Sequence, residues 1–357
     1  KRDIVRNNLQ GRAYAEIYFL KNFTFTSSAA LGYRASDELE FDNPHFGDGR
    51  GQNGRIYKTS RDVYDLNLIQ LLNFKRSFGN HNVNVSLGHE YNSYQSNYFY
   101  AAKYNIYDPD NMQLDNAGEM SAISGSRDEL NIQGYFGKLE YNFDNRYYFS
   151  GGIRRDGTSR FKYDPWGTFW SIGASWRIAE EKFMESTHDW LSELKLRVTY
   201  GTQGNEALTN YYPYTDQWNV TVSEGKLGTE ITYYGNPDLT WEKQNTFDIG
   251  LDAAFFDNRL SFSFDYFERV SDGLLFRRTK DISTGRAYDW YNVGKLENTG
   301  IEFEAKGTII QKKDWYWEVS LNGYSYKNKM LNLPEEYKET GMPNGNQRIY
   351  EGKDIYT

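Results

Sequence analysis

Apolar and polar side chains alternate residue by residue along most of this chain, and this period of two constrains its fold most. In one segment, Val83, Val85 and Leu87 share a face. The residues between them, Asn84 and Ser86, share the opposite face. Successive side chains of a β-strand point to opposite sides of the sheet, so the pattern predicts an all-β chain with one apolar and one polar face.

The alternation recurs in separate segments that we interpret as strands. The candidate strands are 12–20, 22–34, 61–74, 81–93, 130–143, 146–156, 168–177, 193–203, 241–256, 259–270, 299–310 and 314–326. Several are longer than the usual strand of about five or six residues. A tilted strand needs roughly nine to eleven residues to cross a bilayer, so these lengths suit transmembrane strands.

The connections between these strands alternate in length. The short ones are 20–22, 75–80, 144–145, 257–258 and 311–313, and the long ones are 35–60, 94–129, 204–240 and 271–298. Short periplasmic turns that alternate with long extracellular loops are typical of a transmembrane antiparallel β-barrel, whereas a soluble sandwich lacks this regularity. We therefore interpret residues 1–357 as one partial barrel domain of about twelve strands, with a small periplasmic helix around 178–192.

The composition agrees with a barrel once its aromatic content is considered. A hydrophobic fraction of 38% and a mean hydropathy of -0.81 would also suit a soluble protein. However, 17% of the residues are aromatic, as expected for rings that fringe a membrane-facing band. The alternative is a soluble β-solenoid or a pair of sandwiches, which would alternate without such a fringe. The net charge of -8, without a basic run, gives no sign of a nucleic-acid partner.

The sequence shows no apparatus for covalent chemistry. It contains no cysteine, and its four histidines, His45, His81, His89 and His188, lack the spacing of a metal site. No nucleophile–base pair stands at a recognisable spacing either. We therefore expect no catalytic residue, no cofactor and no metal, and we do not interpret the protein as an enzyme.

Two loop segments allow a second interpretation. The acidic segment 108–115 could offer oxygen ligands to calcium, but it lacks the Gly and distal Glu of an EF-hand, so a solvated extracellular loop is the better interpretation. The glycine-rich segment 47–54 could cradle a phosphate, but no helix pattern follows it, so a flexible loop is the better interpretation.

Aromatic residues concentrate in two of the predicted long loops. Flat rings with a polar edge suit stacking against sugars or peptide side chains. The candidate substrate contacts are Tyr211, Tyr212, Trp218, Tyr233, Tyr234 and Trp290. The alternative for each is packing within the loops or membership of the interfacial girdle.

Several longer motifs go beyond a generic barrel. They are the block 134–142, Arg154-Arg-Asp-Gly-Thr-Ser-Arg-Phe161, Ser171-Ile-Gly-Ala-Ser-Trp-Arg177, Leu194-Lys-Leu-Arg-Val-Thr-Tyr-Gly-Thr-Gln-Gly-Asn205, Asn236-Pro-Asp-Leu-Thr-Trp-Glu-Lys243 and Asn292-Val-Gly-Lys-Leu-Glu-Asn-Thr-Gly-Ile-Glu302. In this order they resemble the barrel of the SusC/RagA family of TonB-dependent transporters from Bacteroidetes. The resemblance is close over residues 130 to 330 and looser in the flanks.

The resemblance implies a barrel of 22 strands around an amino-terminal plug, in the outer membrane of a Gram-negative bacterium. It implies TonB-dependent import of oligosaccharides or peptides, as the SusC-like barrel of a SusCD-type complex. The implied partners are a SusD-like surface lipoprotein, TonB with ExbB–ExbD, and outer-membrane lipid. On this interpretation the chain is a fragment cut at both ends, without the plug, the TonB-box region or the final strands.

Physical arguments support transport independently, and alternatives remain. Polar inner faces with Asp248, Asp252 and Asp265 suit a hydrated or plugged lumen rather than a packed core. The alternatives are an adhesin or structural barrel, a siderophore-type TonB-dependent receptor and a barrel enzyme. Because fold does not separate these classes, a plug in the full-length protein would favour import, and a Ser/His/Asp cluster at strand ends would favour an enzyme.

Overall fold

The computed structural model describes residues 1–223, 225–279, 288–344 and 347–355. Its long strands are β1 (Arg2–Phe19), β2 (Phe23–Asp42), β3 (Arg55–Phe78), β4 (His81–Ile106), β5 (Ala117–Phe143), β6 (Tyr147–Thr158), β7 (Trp166–Arg177), β8 (Leu191–Asn205), β11 (Glu242–Phe255), β12 (Leu260–Thr279), β13 (Tyr288–Lys312) and β14 (Trp315–Asn332). Two hairpins are formed by β9 (Gln217–Ser223) with β10 (Lys226–Tyr233), and by β15 (Met342–Asn344) with β16 (Gln347–Ile349).

The long strands form one 12-stranded sheet in the order β1 to β8, then β11 to β14. Each strand therefore pairs with the next long strand along the chain, and the register is antiparallel throughout β6 to β8 and β11 to β14. This arrangement confirms the predicted all-β, antiparallel fold. No helix among the described residues is both long enough and apolar enough to span a bilayer.

The predicted loop boundaries were wrong, because the strands continue into the segments assigned to loops. The predicted loop 94–129 shrinks to 107–116 between β4 and β5, and the predicted loop 35–60 shrinks to 43–54. Likewise, β12 and β13 extend into 271–298. The hairpin of β9 and β10, which we call the arm, occupies part of 204–240. Backbone hydrogen bonds between strands form whether or not apolar and polar side chains occupy opposite faces. A strand therefore continues into segments whose side chains no longer alternate.

The short connection at 178–192 contains two short 3-10 helices, Ile178–Glu180 and Lys182–Thr187, where a small helix was predicted. Glu181, between them, accepts hydrogen bonds from the Tyr147 hydroxyl and from Trp176 Nε1, the latter at 3.0 Å. These side-chain contacts hold the segment against β6 and β7. Its periplasmic location stays a prediction.

The described residues form two compact units. Unit 1 comprises Lys1–Ile17, Phe25–Leu71 and His89–Gln133, and unit 2 comprises Tyr18–Thr24, Leu72–Gly88 and Gly134–Thr357. Unit 1 has a small core of Phe41, Ile56, Ile106 and Ala117. Unit 2 contains the other clusters and the predicted ligand-contact residues.

The exposure of side chains in unit 2 is the inverse of that in a water-soluble sheet. Phe262 and Phe264 on β12 are 44% and 48% exposed, whereas Ser263 and Asp265 between and beside them are half-buried. On the polar face, Arg197 Nε donates to Asp252 Oδ2 at 2.7 Å. Apolar side chains outside and bonded polar side chains inside are what we predicted for strands that cross a bilayer.

Aromatic rings flank the short turns of unit 2. Phe19 stacks on Phe23 across residues 20–22, with ring centroids 5.4 Å apart. His81 lies against Phe78 and Phe143, at 5.1 and 4.9 Å, and its Nδ1 is 2.7 Å from the Tyr141 hydroxyl. His81 therefore packs among the aromatic rings that flank the turn between β3 and β4.

The tight turns depend on left-handed backbone. Asp144 and Asn145 both have φ of 54°, and the mirror-image turns that such a pair forms match the twist of antiparallel strands. Leu20 and Lys21 adopt the same region, with φ of 51° and 60°, at a steric cost that Asp and Asn tolerate better. The residue types therefore explain the left-handed turn between β5 and β6, at Asp144-Asn145, better than the one between β1 and β2, at Leu20-Lys21.

Candidate functional site

Three connecting segments of unit 2 pack together into what we call the loop platform, residues 159–165, 206–216 and 234–241. Its buried core consists of Phe161, Phe169, Leu208, Leu239 and Trp241, with Leu275 and Trp290 packed against it. The Trp241 ring meets Phe161 and Phe169 edge-on, at centroid distances of 5.8 and 5.4 Å. Such pairs add to the stabilisation that burial itself provides.

Two glycines make room for the Phe169 ring. A Cβ at Gly204 would lie 2.0 Å from Phe169 Cζ, and a Cβ at Gly167 would lie 2.3 Å from the same atom. Glycine in a strand often marks such a close approach. Gly204 belongs to the block 194–205, so this motif residue serves the packing of the platform.

Hydrogen bonds fasten the segment 234–241 on two sides. On one side, Trp241 Nε1 donates to the Pro165 carbonyl at 3.0 Å, and Thr240 Oγ1 donates to Asp164 Oδ2 at 3.1 Å. On the other side, Asn236 Nδ2 donates to the Trp290 carbonyl at 2.9 Å. The block 236–243 thus links the 159–165 segment to β13, which its sequence alone did not indicate.

A buried ion pair joins the first two segments of the platform. Arg160 is 8% exposed, and its Nη1 bonds both the Glu206 carboxylate and the Glu206 carbonyl, the latter at 3.1 Å. The guanidinium also lies over the Tyr211 ring, 5.6 Å from its centroid. Removing either charged partner would leave an uncompensated charge in this enclosed position, so the pair fixes the two segments relative to each other.

The arm β9–β10 presents an uncovered apolar face. Register pairs Trp218 with Ile231 and Val222 with Leu227, so all four side chains share one face with Val220. Trp218, Val220, Val222 and Leu227 are 55%, 72%, 68% and 80% exposed. Exposed apolar side chains in a contiguous group usually mark a contact surface.

The predicted contact residues differ in accessibility. Trp218 is exposed, as expected of a contact residue, and Tyr211, Tyr212, Tyr234 and Trp290 are half-buried. Trp290 packs on the core of the platform. Contact of these residues with a substrate stays a prediction.

Tyr233 does not meet the expectation of an exposed ring. It is 4% exposed, and its hydroxyl donates to the Pro213 carbonyl at 2.9 Å. Burial raises the pKa of this hydroxyl, with nearby Asp289 adding to the effect. Packing within the loop, the alternative raised for each ring, therefore describes Tyr233.

Sequence reasoning missed several residues of this site. The alternation Trp218-Asn-Val-Thr-Val-Ser223 was available as a signal for the apolar face of the arm. By contrast, the motif blocks that contain Arg160 and Asn292 do not indicate the partners of these two residues, which lie 46 and 52 residues away in the chain. These contacts depend on the folded arrangement of strands.

The structure also describes the segments 108–115 and 47–54, for which the sequence analysis considered a calcium ion and a phosphate. Among the described residues, no group of three or more His, Asp or Glu side chains could hold a metal ion. In the 108–115 segment, Asn116 Nδ2 donates to the carbonyls of Asp108 and Asn111 at 2.7 and 2.6 Å, which closes the loop on itself. The predicted flexible loop 47–54 contains a 3-10 helix, Gly47–Gln52, in which Gly49 is packed against Asp42 and Asn43.

Known proteins resemble this chain over nearly its whole length. A family model described as TonB dependent receptor-like, beta-barrel, matches residues 2–354. TonB-dependent receptor P3 of Formosa agariphila is 28% identical over 94% of this chain and 34% of its own length. TonB-dependent receptor SusC of Bacteroides thetaiotaomicron is 36% identical over 53% of this chain and 20% of its own length. The chain therefore spans about a third or less of these curated relatives.

Solved structures give the same result in three dimensions. The RagAB peptide transporter superposes with a TM-score of 0.88 at 26% identity, over 99% of this chain and 40% of that chain. The ferric citrate transporter FecA superposes with a TM-score of 0.56 at 10% identity, over 92% of this chain and 43% of that chain. The second similarity shows a shared fold alone.

Proposed function

The chain belongs to the TonB-dependent receptor-like β-barrel family of outer-membrane proteins, and we propose that it serves in TonB-dependent import of oligosaccharides or peptides. The observation that carries this proposal is the contrast between solved relatives. The match to the RagAB peptide transporter has a TM-score of 0.88, whereas the siderophore receptor PiuA reaches 0.56. The 36% identity to SusC supports the same group.

The proposal includes partners and energy coupling. In a SusCD-type complex, a SusD-like surface lipoprotein accompanies the barrel, and TonB with ExbB–ExbD supplies the energy. The similarity to the RagAB peptide importer, solved in a closed-closed and an open-open state, supports such an assembly. The exposed apolar face of the arm supports a protein or ligand contact on the loop side.

Within this function, we assign the first ligand contact to residues 204–240. The segment carries Trp218 on the exposed face of the arm, and Tyr211 stacked with Arg160 on the platform. Aromatic rings bind sugar and peptide surfaces through large contact areas at a small loss of conformational freedom. We propose no catalytic role for any residue, because import forms and breaks no covalent bond of the substrate.

The test uses the full-length protein in a strain deleted for the gene and then complemented. Uptake of fluorescently labelled oligosaccharides and peptides is measured with and without TonB. We expect accumulation of at least one of these probes to require both the protein and TonB. Accumulation of a ferric siderophore, with none of the labelled polymers, would instead place the protein with the siderophore receptors.

A matched pair of variants tests the contact assigned to the arm. Trp218→Ala should weaken probe binding by about 1–3 kcal/mol, the range for an important interface aromatic. Asn219→Ala is the control, because Asn219 lies on the opposite face of the same strand. Surface expression is quantified for each variant. Unchanged uptake after joint replacement of Tyr211, Tyr212 and Trp218 would show that these rings only pack within the loops and do not contact the ligand.

A further inference from the structure

Asn292 joins three backbone groups through one side chain. Its Oδ1 accepts the Thr240 N–H at 2.8 Å, and its Nδ2 donates to the Thr240 carbonyl at 2.8 Å and the Gly273 carbonyl at 3.0 Å. A primary amide offers one acceptor oxygen and two N–H donors, so this side chain imitates the pairing of a neighbouring strand. The segment 234–241 is thereby attached to β12 and β13 without belonging to the sheet.

The attachment point coincides with an interruption in the pairing of two strands. Pairing of β12 with β13 passes from Asp272–Lys295 directly to Leu274–Val293 and skips the two glycines between them. Gly273 and Gly294 have φ of 64° and 76°, a region that favours glycine. Because Asn292 bonds the Gly273 carbonyl, it ties the loop segment to this interruption.

Beyond the two glycines, the β12–β13 ribbon is covered on both faces. Leu275 and Trp290 pack on the core of the loop platform. Leu274, Phe276 and Val293 pack on a second cluster formed by Met330, Leu333, Met342 and Ile349. The ribbon is therefore a fixed support, and a loop tied to it acquires a defined position.

The arm is connected to this support through the same segment. Tyr233 at the end of β10 bonds the Pro213 carbonyl, and Gly235 N–H donates to Asp216 Oδ1 at 2.9 Å. Asn236 then bonds the Trp290 carbonyl, and Thr240 bonds Asn292. A two-stranded hairpin is marginally stable by itself, so the direction of the arm depends on how its base is held.

We propose that Asn292 is the positioning residue that holds the β9–β10 arm, and with it Trp218, in a fixed orientation on the loop platform. The consequence for ligand affinity rests on the proposed function, whereas the positioning itself does not. Asn292 acts through the backbone of Thr240 and touches neither the arm nor any ligand. It is therefore distinct from the contact residues assigned above.

The first experiment measures positioning without any ligand. In the full-length protein in outer membranes, a spin label at Val220→Cys, a position 72% exposed on the arm, reports mobility. We expect Asn292→Ala to increase this mobility. Asn298→Ala is the matched control, because Asn298 lies on the same strand and makes no side-chain hydrogen bond among the described residues. Equal mobility in both variants would overturn the proposal.

A second labelled position and a second variant of Asn292 distinguish a loss of folding from a loss of positioning. A second label at Leu321→Cys on β14 should report the same environment in every variant whose sheet is intact. Asn292→Asp keeps an acceptor oxygen but replaces both N–H donors by a carboxylate oxygen that faces two carbonyl oxygens. We expect its arm mobility to exceed that of the unsubstituted protein. Mobility of Asn292→Asp equal to that of the unsubstituted protein would contradict a role for the donated bonds.

The second experiment uses whichever labelled oligosaccharide or peptide the protein accumulates. Asn292→Ala should raise the KM of uptake by about tenfold, similar to Trp218→Ala, with an unchanged saturating rate. The double variant should be no weaker than Trp218→Ala alone, because both changes remove the same contact. Additive losses would refute positioning through Trp218. If no polymer is taken up, the proposed function fails, and the spin-label result still decides the positioning role.

Discussion

Arg197 on β8 and Asp265 on β12 form an ion pair that passes over Gly250 of the intervening strand, with Nη2 and Oδ1 2.9 Å apart. Gly250 is in register with both residues. A Cβ at this position would lie 2.1 Å from Asp265 Oδ1 and 2.6 Å from Arg197 Nη2. The glycine therefore opens a path for two long side chains to meet on the polar face.

The first prediction follows from this relationship. Gly250→Ala should separate Arg197 from Asp265 and lower the free energy of unfolding by about 1–3 kcal/mol, the usual cost of breaking a partly buried polar contact. Denaturant unfolding of the full-length protein in detergent measures it. Gly307→Ala is the control, since the nearest atom to its added Cβ is 3.7 Å away. Equal stability of the two variants would contradict this role of Gly250.

A second prediction concerns the lipid-facing side of the sheet. Phe264→Arg should destabilise the protein by roughly 2–4 kcal/mol if the residue lies near the bilayer midplane. Single cysteines at Phe264 and Ser263 provide the topological measurement with a lipophilic thiol reagent. We expect preferential labelling at position 264. Preferential labelling at position 263 would reverse the two faces.

A third prediction concerns the core of the loop platform. Leu239 is 1% exposed, so Leu239→Ala should cost about 2–5 kcal/mol of local stability through lost burial and a cavity. Limited proteolysis of the 206–241 region should accelerate accordingly. Leu227→Ala, at a position 80% exposed on the arm, should leave the cleavage rate unchanged. Resistance of Leu239→Ala to protease would show that the platform does not depend on this side chain.

A fourth prediction concerns the sides of the membrane. An epitope inserted after Gly225, at the tip of the arm, should be detected on intact cells. An epitope beside Glu185, in the short connection between β7 and β8, should be detected only after permeabilisation. The opposite pattern would invert the topology. The neighbouring Glu224 lies outside the described residues.

A fifth prediction concerns pH. Hydrogen bonds from Tyr147 and from Trp176, with the nearby charge of Arg146, hold the pKa of Glu181 below its ordinary value. A carboxyl with a lowered folded-state pKa stabilises the fold above its unfolded pKa and loses that contribution as pH falls through the folded value. Amide protection of 178–187, corrected for intrinsic exchange, should therefore decline in acid. Glu181→Gln should remove this pH dependence.

The cores of the strands were predictable because contrast between faces is a local property of sequence. The alternation of Phe262, Ser263 and Phe264 already indicates which face of β12 is apolar and which is polar. The strand ends were not predictable, because segments such as 94–106 mix tyrosine, asparagine and alanine without contrast while their backbones continue to pair.

The candidate site was predictable only in its choice of segment. The aromatic content of 204–240 predicted a contact surface in this segment, and Trp218 there is exposed, whereas contact with a ligand stays a prediction. Burial of Tyr233 depends on a hydrogen bond to Pro213, 20 residues away, and Trp241 bonds Pro165 across 76 residues. Alternation within a strand contains no information about such distant pairs.

The hydrogen bonds that secure the segment 234–241 are made by residues outside β9 and β10. Asn236, Thr240 and Trp241 are fastened to β13 and to 164–165, and the arm merely begins and ends beside them. The hairpin can therefore be exchanged between homologous proteins while the anchoring residues stay constant. We expect chimaeras joined at positions 217 and 233 to reach the membrane intact.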